Sequence, residues 1–204
     1  DTISQPVKTT YPETMEMLGQ NTGYILYRTS IKKDAEEERL RVIDGRDRSQ
    51  LFLNQKLQAT QYQTQIGEDI IVPMTEETNQ LDILIENMGR VNYGHKLFAD
   101  TQNKGIRTGV MADLHFLTDW SQYCLPLDSC EAVDYSREWQ PEQPSFYRYE
   151  VVLDEVEDSF IDLSNFGKGV VFVNQVNIGR FGKLAQHYRF IFLRDYLKKA
   201  TMKS

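Results

Sequence analysis

The apolar positions of this chain alternate far more often than they follow a helical period. In "LDILIE", Leu81, Ile83 and Ile85 point one way while Asp82, Leu84 and Glu86 point the other. That period of two predicts a strand with one buried face and one solvated or partly covered face. Further strands are predicted at Gly23 to Ser30, Gly105 to Val110, Phe146 to Leu153 and Ser159 to Leu163. Helical signals are few. The charge-dense run "KKDAEEERLRVI", Lys32 to Ile43, is the main helical candidate, with a solvated loop or a single helical turn as alternatives, and Asp195 to Lys199 reads as another helical turn. Three of the six prolines lie in or beside Leu127 to Pro144, a stretch with little periodicity that reads as an interdomain linker. The pattern predicts an all-β chain of two antiparallel β-sandwiches, residues 1–126 and 145–204, joined by residues 127–144.

The chain also repeats itself. "QLFLNQKLQAT", Gln50 to Thr60, resembles "GVVFVNQVNIG", Gly169 to Gly179, so that Phe52, Asn54 and Gln55 recur 120 positions later as Phe172, Asn174 and Gln175. The same shift sets Glu68 to Met74 opposite Tyr188 to Arg194. Each copy predicts strand, tight turn, strand, with Asn-Gln where Asn-Gly is the favoured hairpin turn. The counterpart of "LDILIE" in the second copy begins at Thr201 and stops at Ser204, so the second sandwich is expected to be incomplete.

Composition narrows the function classes. With 40% hydrophobic and 26% charged residues the chain has a globular balance, and 204 residues suffice for two domains of about 100 each. A net charge of -7 argues against nucleic acid, which demands a basic footprint. No apolar run approaches the ~20 residues of a membrane-spanning helix, so no membrane partner is expected. The first residues show neither a signal peptide nor an initiator Met, which suggests a processed product or a fragment. Cys124 and Cys130 match no zinc or redox spacing. They read as free thiols of a cytoplasmic protein, with a short loop disulfide, the cell surface and secretion left open.

Several segments together carry a family resemblance: "MEMLGQNTGYILYRT" (Met15 to Thr29), "LDILIENMGRVNYG" (Leu81 to Gly94), "KGIRTGV" (Lys104 to Val110) and "GKGVVFVNQVNIGRF" (Gly167 to Phe181). These resemble the C-terminal half of family 35 β-galactosidases, most closely the shorter bacterial members, from about Tyr11 to about Phe181. The resemblance implies two jelly-roll domains of galactose-binding type that follow a catalytic (β/α)8 barrel. That barrel bears two glutamates for a retaining mechanism and needs about 250 residues. Neither glutamate has a counterpart here, so this chain alone is expected to be inactive. The chain departs from the family pattern at Gln175 (for Gly), Gly182 (for Trp) and Ala185-Gln186 (for Gly-Pro), and its last residues are not expected to form the family's closing strand.

Within "ENMGRVNYG", Tyr93 offers a flat face and a hydroxyl to a sugar, while Arg90 and Asn92 suit sugar hydroxyls or, the reading favoured for both, backbone groups that brace a domain contact. By resemblance the loop Asn87 to His95 leans towards the barrel, with Tyr93 at the pocket rim. Trp139, like Trp120, reads either as a sugar-stacking platform or as a plug in a core or seam. "DGRDR", Asp44 to Arg48, reads as a turn laced by Asp-Arg pairs, the alternative being a carboxylate pair gripping a sugar or calcium, for which calcium is short of ligands. His95, His115 and His187 have no metal-ligand spacing, and no cofactor is expected. Two functions compete. The first is a scaffold that packs on the barrel and shapes its entrance, with an exposed apolar face that also favours association with a second copy. The second is a free-standing module that binds galactosides.

Overall fold

The structure, a computed structural model, describes residues 3–136, 138, 142–182, 189–192 and 197. The chain divides into two units, residues 1–126 with 138–145, and residues 127–137 with 146–204. The stretch 127–144 is thus shared between them. Among the described residues the regular structure of both is β-strand apart from one 3-10 turn, and no α-helix occurs.

The first unit contains β1 (Val7–Thr9), β2 (Tyr24–Lys32), β3 (Glu37–Arg46), β4 (Arg48–Leu53), β5 (Lys56–Tyr62), β6 (Ile70–Pro73), β7 (Thr78–Glu86), β8 (Gly105–Ala112), β9 (His115–Phe116) and β10 (Trp120–Leu125). They form two antiparallel sheets, in the orders β1-β10-β2-β7-β4-β5 and β6-β3-β8-β9. The alternation read in the sequence decides which faces meet. Leu81, Ile83 and Ile85 of β7 are fully buried and stand opposite Thr29, Tyr27 and Ile25 of β2. They share one core with Leu40, Val42, Ile106 and Val110 from the other sheet. Each such side chain contributes roughly 1.5–3 kcal/mol on burial. The opposite face of β7 is covered too: Asp82 is buried and takes both nitrogens of a bidentate pair with Arg28, at 2.6 and 3.0 Å.

Tyr27 carries a polar group into this core. Its hydroxyl donates to Glu13 O at 2.7 Å and accepts from Ile106 N at 3.0 Å. Burial pushes the phenol far above its ordinary value of 10.0, with the Ile106 N–H opposing. Gly105 makes room for it: at φ +91 a Cβ there would lie 2.2 Å from the Tyr27 oxygen. Tyr27→Phe is expected to cost about 1–3 kcal/mol at neutral pH, because Ile106 N–H and Glu13 C=O lose their partner. The folded pKa is raised, so the unfolded chain gives up its proton first. The stability linked to the phenol is therefore complete below about pH 10 and declines above it. The gap between wild type and Tyr27→Phe should narrow above about pH 10 in urea unfolding curves, and a constant gap would refute the coupling.

The run Lys32 to Ile43 is not helical, which corrects the sequence expectation: β2 extends to Lys32 and β3 begins at Glu37. Leu40 and Val42 are spaced by two and both enter the core. Arg39 and Arg41 point outward and pair with Asp113 (2.8 Å) and Asp69 (2.7 Å) across the sheet. High charge density here marks a solvated strand face.

The repeat appears as two matching hairpins. The second unit contains β11 (Ser159–Asp162), β12 (Lys168–Val173), β13 (Val176–Gly182) and β14 (Arg189–Phe192), paired as β11 with β14 and β12 with β13. The β4–β5 and β12–β13 hairpins carry a register shift at Leu51/Phe52 and at Val171/Phe172, again 120 positions apart. Both turns place Asn and Gln at positive φ, 48° and 68° in the first and 46° and 74° in the second. Gln175 thus adopts the left-handed conformation for which glycine is usual. Leu163, Val171 and Phe181 form a small core with Ile161, Ile178 and Phe190. At the β11 end, the Ser164 hydroxyl and amide, with Arg189, hold the Asp162 carboxyl down at about 2.

Phe146 to Leu153 lies outside every strand, contrary to expectation, with Phe146, Tyr147, Tyr149, Val151 and Val152 exposed. Strand-type residues form a strand only beside a hydrogen-bonding neighbour, and no described residue pairs with this segment. Both cysteines are free thiols; burial pushes Cys124 up, and Cys130 lies 2.9 Å from Gln175 Oε1. The predicted turn at Asp195 to Lys199, Leu197 apart, lies outside the described residues, as do Ala185-Gln186 and the segment from Thr201.

Candidate functional site

The longest connection in the first unit runs from the end of β7 at Glu86 to the start of β8 at Gly105. It holds a single 3-10 turn (Asp100–Gln102) and the "GRVNYGH" stretch that the sequence singles out. Its outgoing stem is tied down residue by residue. Asn87 N donates to Gly23 O at 3.1 Å and Asn87 Nδ2 to Asn21 O at 2.9 Å. Met88 N donates to Asp47 Oδ2 at 2.7 Å. Arg90 Nε donates to Asn21 O at 2.9 Å, and its guanidinium pairs with Glu16. The returning stem is held as firmly. Lys104 N donates to both oxygens of Glu16, at 3.0 and 2.9 Å, and Lys104 O accepts from Met15 N at 2.8 Å. Lys104 Nζ reaches both oxygens of Asp47 at 2.7 Å, with the two side chains 6% and 11% exposed.

Beyond these stems the loop is bare. Tyr93 is 90% and Phe98 95% exposed, and Val91 and Leu97 are exposed beside them. The described backbone hydrogen bonds of the tip are local, Leu97 N to Gly94 O and Ala99 N to Lys96 O, both 3.1 Å. The predicted residues therefore separate. Arg90 belongs to the stem and is occupied by protein acceptors, while Asn92 and Tyr93 stand exposed at the tip with His95. Trp139 and His187 lie outside the described residues. Trp120 is a core residue, 1% exposed, and offers no platform to a sugar.

The structure adds Glu16 and Lys104, which were not picked out, and gives Asp47, read in the sequence as part of an Asp-Arg turn, Lys104 as its partner. All three lie in segments already conspicuous in the sequence, "MEMLG", "DGRDR" and "KGIRTGV". The expected Asp-Arg lacing within "DGRDR" is absent from the described pairs. Asp44 pairs with Arg107 at 2.7 Å, Asp47 with Lys104, and Arg48 lies 3.7 Å from Glu86. Glu16 and Asp47 are both occupied by donors, so neither carboxylate stands ready for acid–base work on a ligand.

A concavity lies elsewhere, on the outer face of the six-stranded sheet. This open groove of ≈ 460 Å³ is lined by Arg28, Ser30, Gln80, Phe116, Asp119 and Ser121. Its arginine is engaged by Asp82, and Phe116 is the aromatic residue among those lining it.

Comparison with known proteins gives this arrangement a context. The family model "Beta-galactosidase, first all-beta domain" matches residues 12–127, and "Beta-galactosidase, galactose-binding domain" matches residues 144–201. A β-galactosidase of Xanthomonas manihotis is 32% identical over 185 residues, covering 88% of this chain and 30% of its own length. Beta-galactosidase 1 of Dictyostelium discoideum is 30% identical over 217 residues, covering 95% and 31%. The human β-galactosidase is 28% identical over 205 residues, covering 87% and 29%. The chain thus spans about 30% of the length of these relatives.

Proposed function

Because this chain belongs to the β-galactosidase family through its first all-β domain, we propose that it is the non-catalytic β-sandwich portion of a family 35 β-galactosidase. It packs on a catalytic (β/α)8 barrel and shapes the entrance to its galactoside pocket, with Tyr93 at the rim. The observation that carries this proposal is the contrast within one loop. Its stems are fixed by backbone and charged contacts, while its tip exposes Val91, Tyr93, Leu97 and Phe98 to solvent. An apolar tip on a rigid base suits contact with another protein surface better than contact with water. A tyrosine at that tip supplies a ring face and a hydroxyl for a sugar at the edge of the contact.

The test is a chromogenic galactoside assay on the purified chain, with calorimetric titration of galactose and lactose into the same sample. The proposal expects neither turnover nor heat, and turnover that survives repurification overturns it. In the barrel-bearing enzyme, Tyr93→Ala should raise KM by about fivefold, the loss of roughly 1 kcal/mol of ring contact. The same substitution should move stability by no more than about 0.5 kcal/mol, since the side chain is 90% exposed. A KM unchanged by Tyr93→Ala removes Tyr93 from the rim.

The open groove beside Phe116 is the place on the six-stranded sheet where a free-standing galactoside-binding module would be sought. Saturable heat with galactose, abolished by Phe116→Ala, would establish that function in place of the scaffold.

A further inference from the structure

Two carboxylates far apart in sequence each join the two ends of the same loop. Asp47 accepts from Met88 N on the outgoing stem and from Lys104 Nζ on the returning stem. Glu16 pairs with Arg90 on the outgoing stem and accepts Lys104 N on the returning stem. Neither carboxylate is contributed by the loop itself. Glu16 comes from the turn before β2, and Asp47 from the link between β3 and β4, where the chain crosses from one sheet to the other. The backbone reinforces both ends, through Asp47 N to Glu86 O at 2.8 Å and Met15 N to Lys104 O at 2.8 Å.

We infer that Glu16 and the Asp47–Lys104 pair form a clamp that fixes the loop carrying Tyr93, and that they act as positioning residues for the galactoside rim. The inference rests on the rim role of Tyr93 proposed above and extends it to residues that touch no sugar. Closing a flexible 18-residue connection, residues 87–104, costs entropy, and its tip makes few contacts that limit its motion. Each bridging carboxylate shortens the free segment. With Met88 and Lys104 both held by Asp47, and Arg90 held by Glu16, the mobile part shrinks to residues 91–103, and Tyr93 sits three residues beyond Arg90. Charged hydrogen bonds suit this task because they are short and directional. Burial of Lys104 and Asp47 shields their bond from water and salt.

Glu16→Gln tests the clamp with the least disturbance. The amide keeps one acceptor for Lys104 N but presents a donor and no charge to Arg90. A second variant, Asp47→Asn with Lys104→Met, removes the buried charges together so that neither is left stranded. Hydrogen exchange on the 204-residue chain should show the clamp-held amides at the two ends of the 88–104 segment, Met88 N and Lys104 N, exchanging about tenfold faster in both variants, with β2 and β7 unchanged. Unchanged exchange in that segment overturns the clamp. In the barrel-bearing enzyme, Glu16→Gln should raise KM about threefold with kcat held within about twofold, and Glu16→Asp should restore part of the loss. On a Tyr93→Ala background the Glu16→Gln effect should vanish, because there is no longer a ring to position. An equal KM rise on both backgrounds overturns the positioning role. A KM unmoved by Tyr93→Ala alone sinks the rim proposal instead, and the exchange result then decides the clamp by itself.

Discussion

Lys104→Met is expected to lower the stability of the first sandwich by about 3–5 kcal/mol, because it strands the buried carboxylate of Asp47. Asp47 is tied to Lys104 through both oxygens at 2.7 Å, and both side chains are almost entirely withdrawn from solvent. The pair itself need not be a large source of stability, since desolvating two ions offsets most of their attraction. The cost arises when one charge stays behind. A second substitution separates these terms: Asp47→Asn added to Lys104→Met should recover most of the loss. A neutral amide needs no counter-ion, and its Oδ1 still accepts Met88 N. Urea unfolding followed by Trp fluorescence measures both variants. If the double variant is no more stable than Lys104→Met alone, stranded charge is not the cause.

Trp120→Ala is expected to cost a similar amount, about 3–5 kcal/mol, for a different reason. Trp120 is among the largest fully buried side chains in the first unit, 1% exposed. Its ring meets Tyr27 edge-on, with centroids 6.3 Å apart and an interplanar angle of 85°, and Nε1 donates to Leu117 O at 2.9 Å. Truncation removes its buried apolar surface and leaves a cavity beside a phenol that is itself fixed by two hydrogen bonds, so the site has little freedom to collapse. Trp120→Phe keeps much of the ring and should cost about 1–3 kcal/mol, mainly through the orphaned Leu117 carbonyl. Thermal unfolding followed by circular dichroism orders the two, and a loss below about 1 kcal/mol for Trp120→Ala would contradict the full burial of this ring.

The candidate loop illustrates how far local sequence carries. "ENMGRVNYG" marks the loop, and its Arg, Asn and Tyr are the residue types that sugar chemistry uses. Tertiary structure then divides them: Arg90 turns back to Glu16 and the backbone of Asn21, while Tyr93 points to solvent. Nothing in the local pattern of "MEMLG" or "DGRDR" shows that Glu16 and Asp47 serve this loop. Their partners lie 74, 88 and 57 positions away, for Arg90–Glu16, Lys104–Glu16 and Lys104–Asp47.

The sequence by itself determined the all-β class, the buried faces of strands such as Leu81 to Ile85, and the two hairpins 120 positions apart. These are consequences of short-range order: the side-chain period of a strand is two, and a tight turn is chosen by the two residues within it. Only the tertiary structure decided the rest. It made a strand of the charged run around Arg39 and Arg41, because partners in β6 and β8 lie alongside. It left Phe146 to Leu153 outside any sheet, although its residues favour strands equally well. It set two distant carboxylates at the base of one loop. A strand needs a neighbour and a buried charge needs a counter-charge, and both requirements are met through space rather than along the chain.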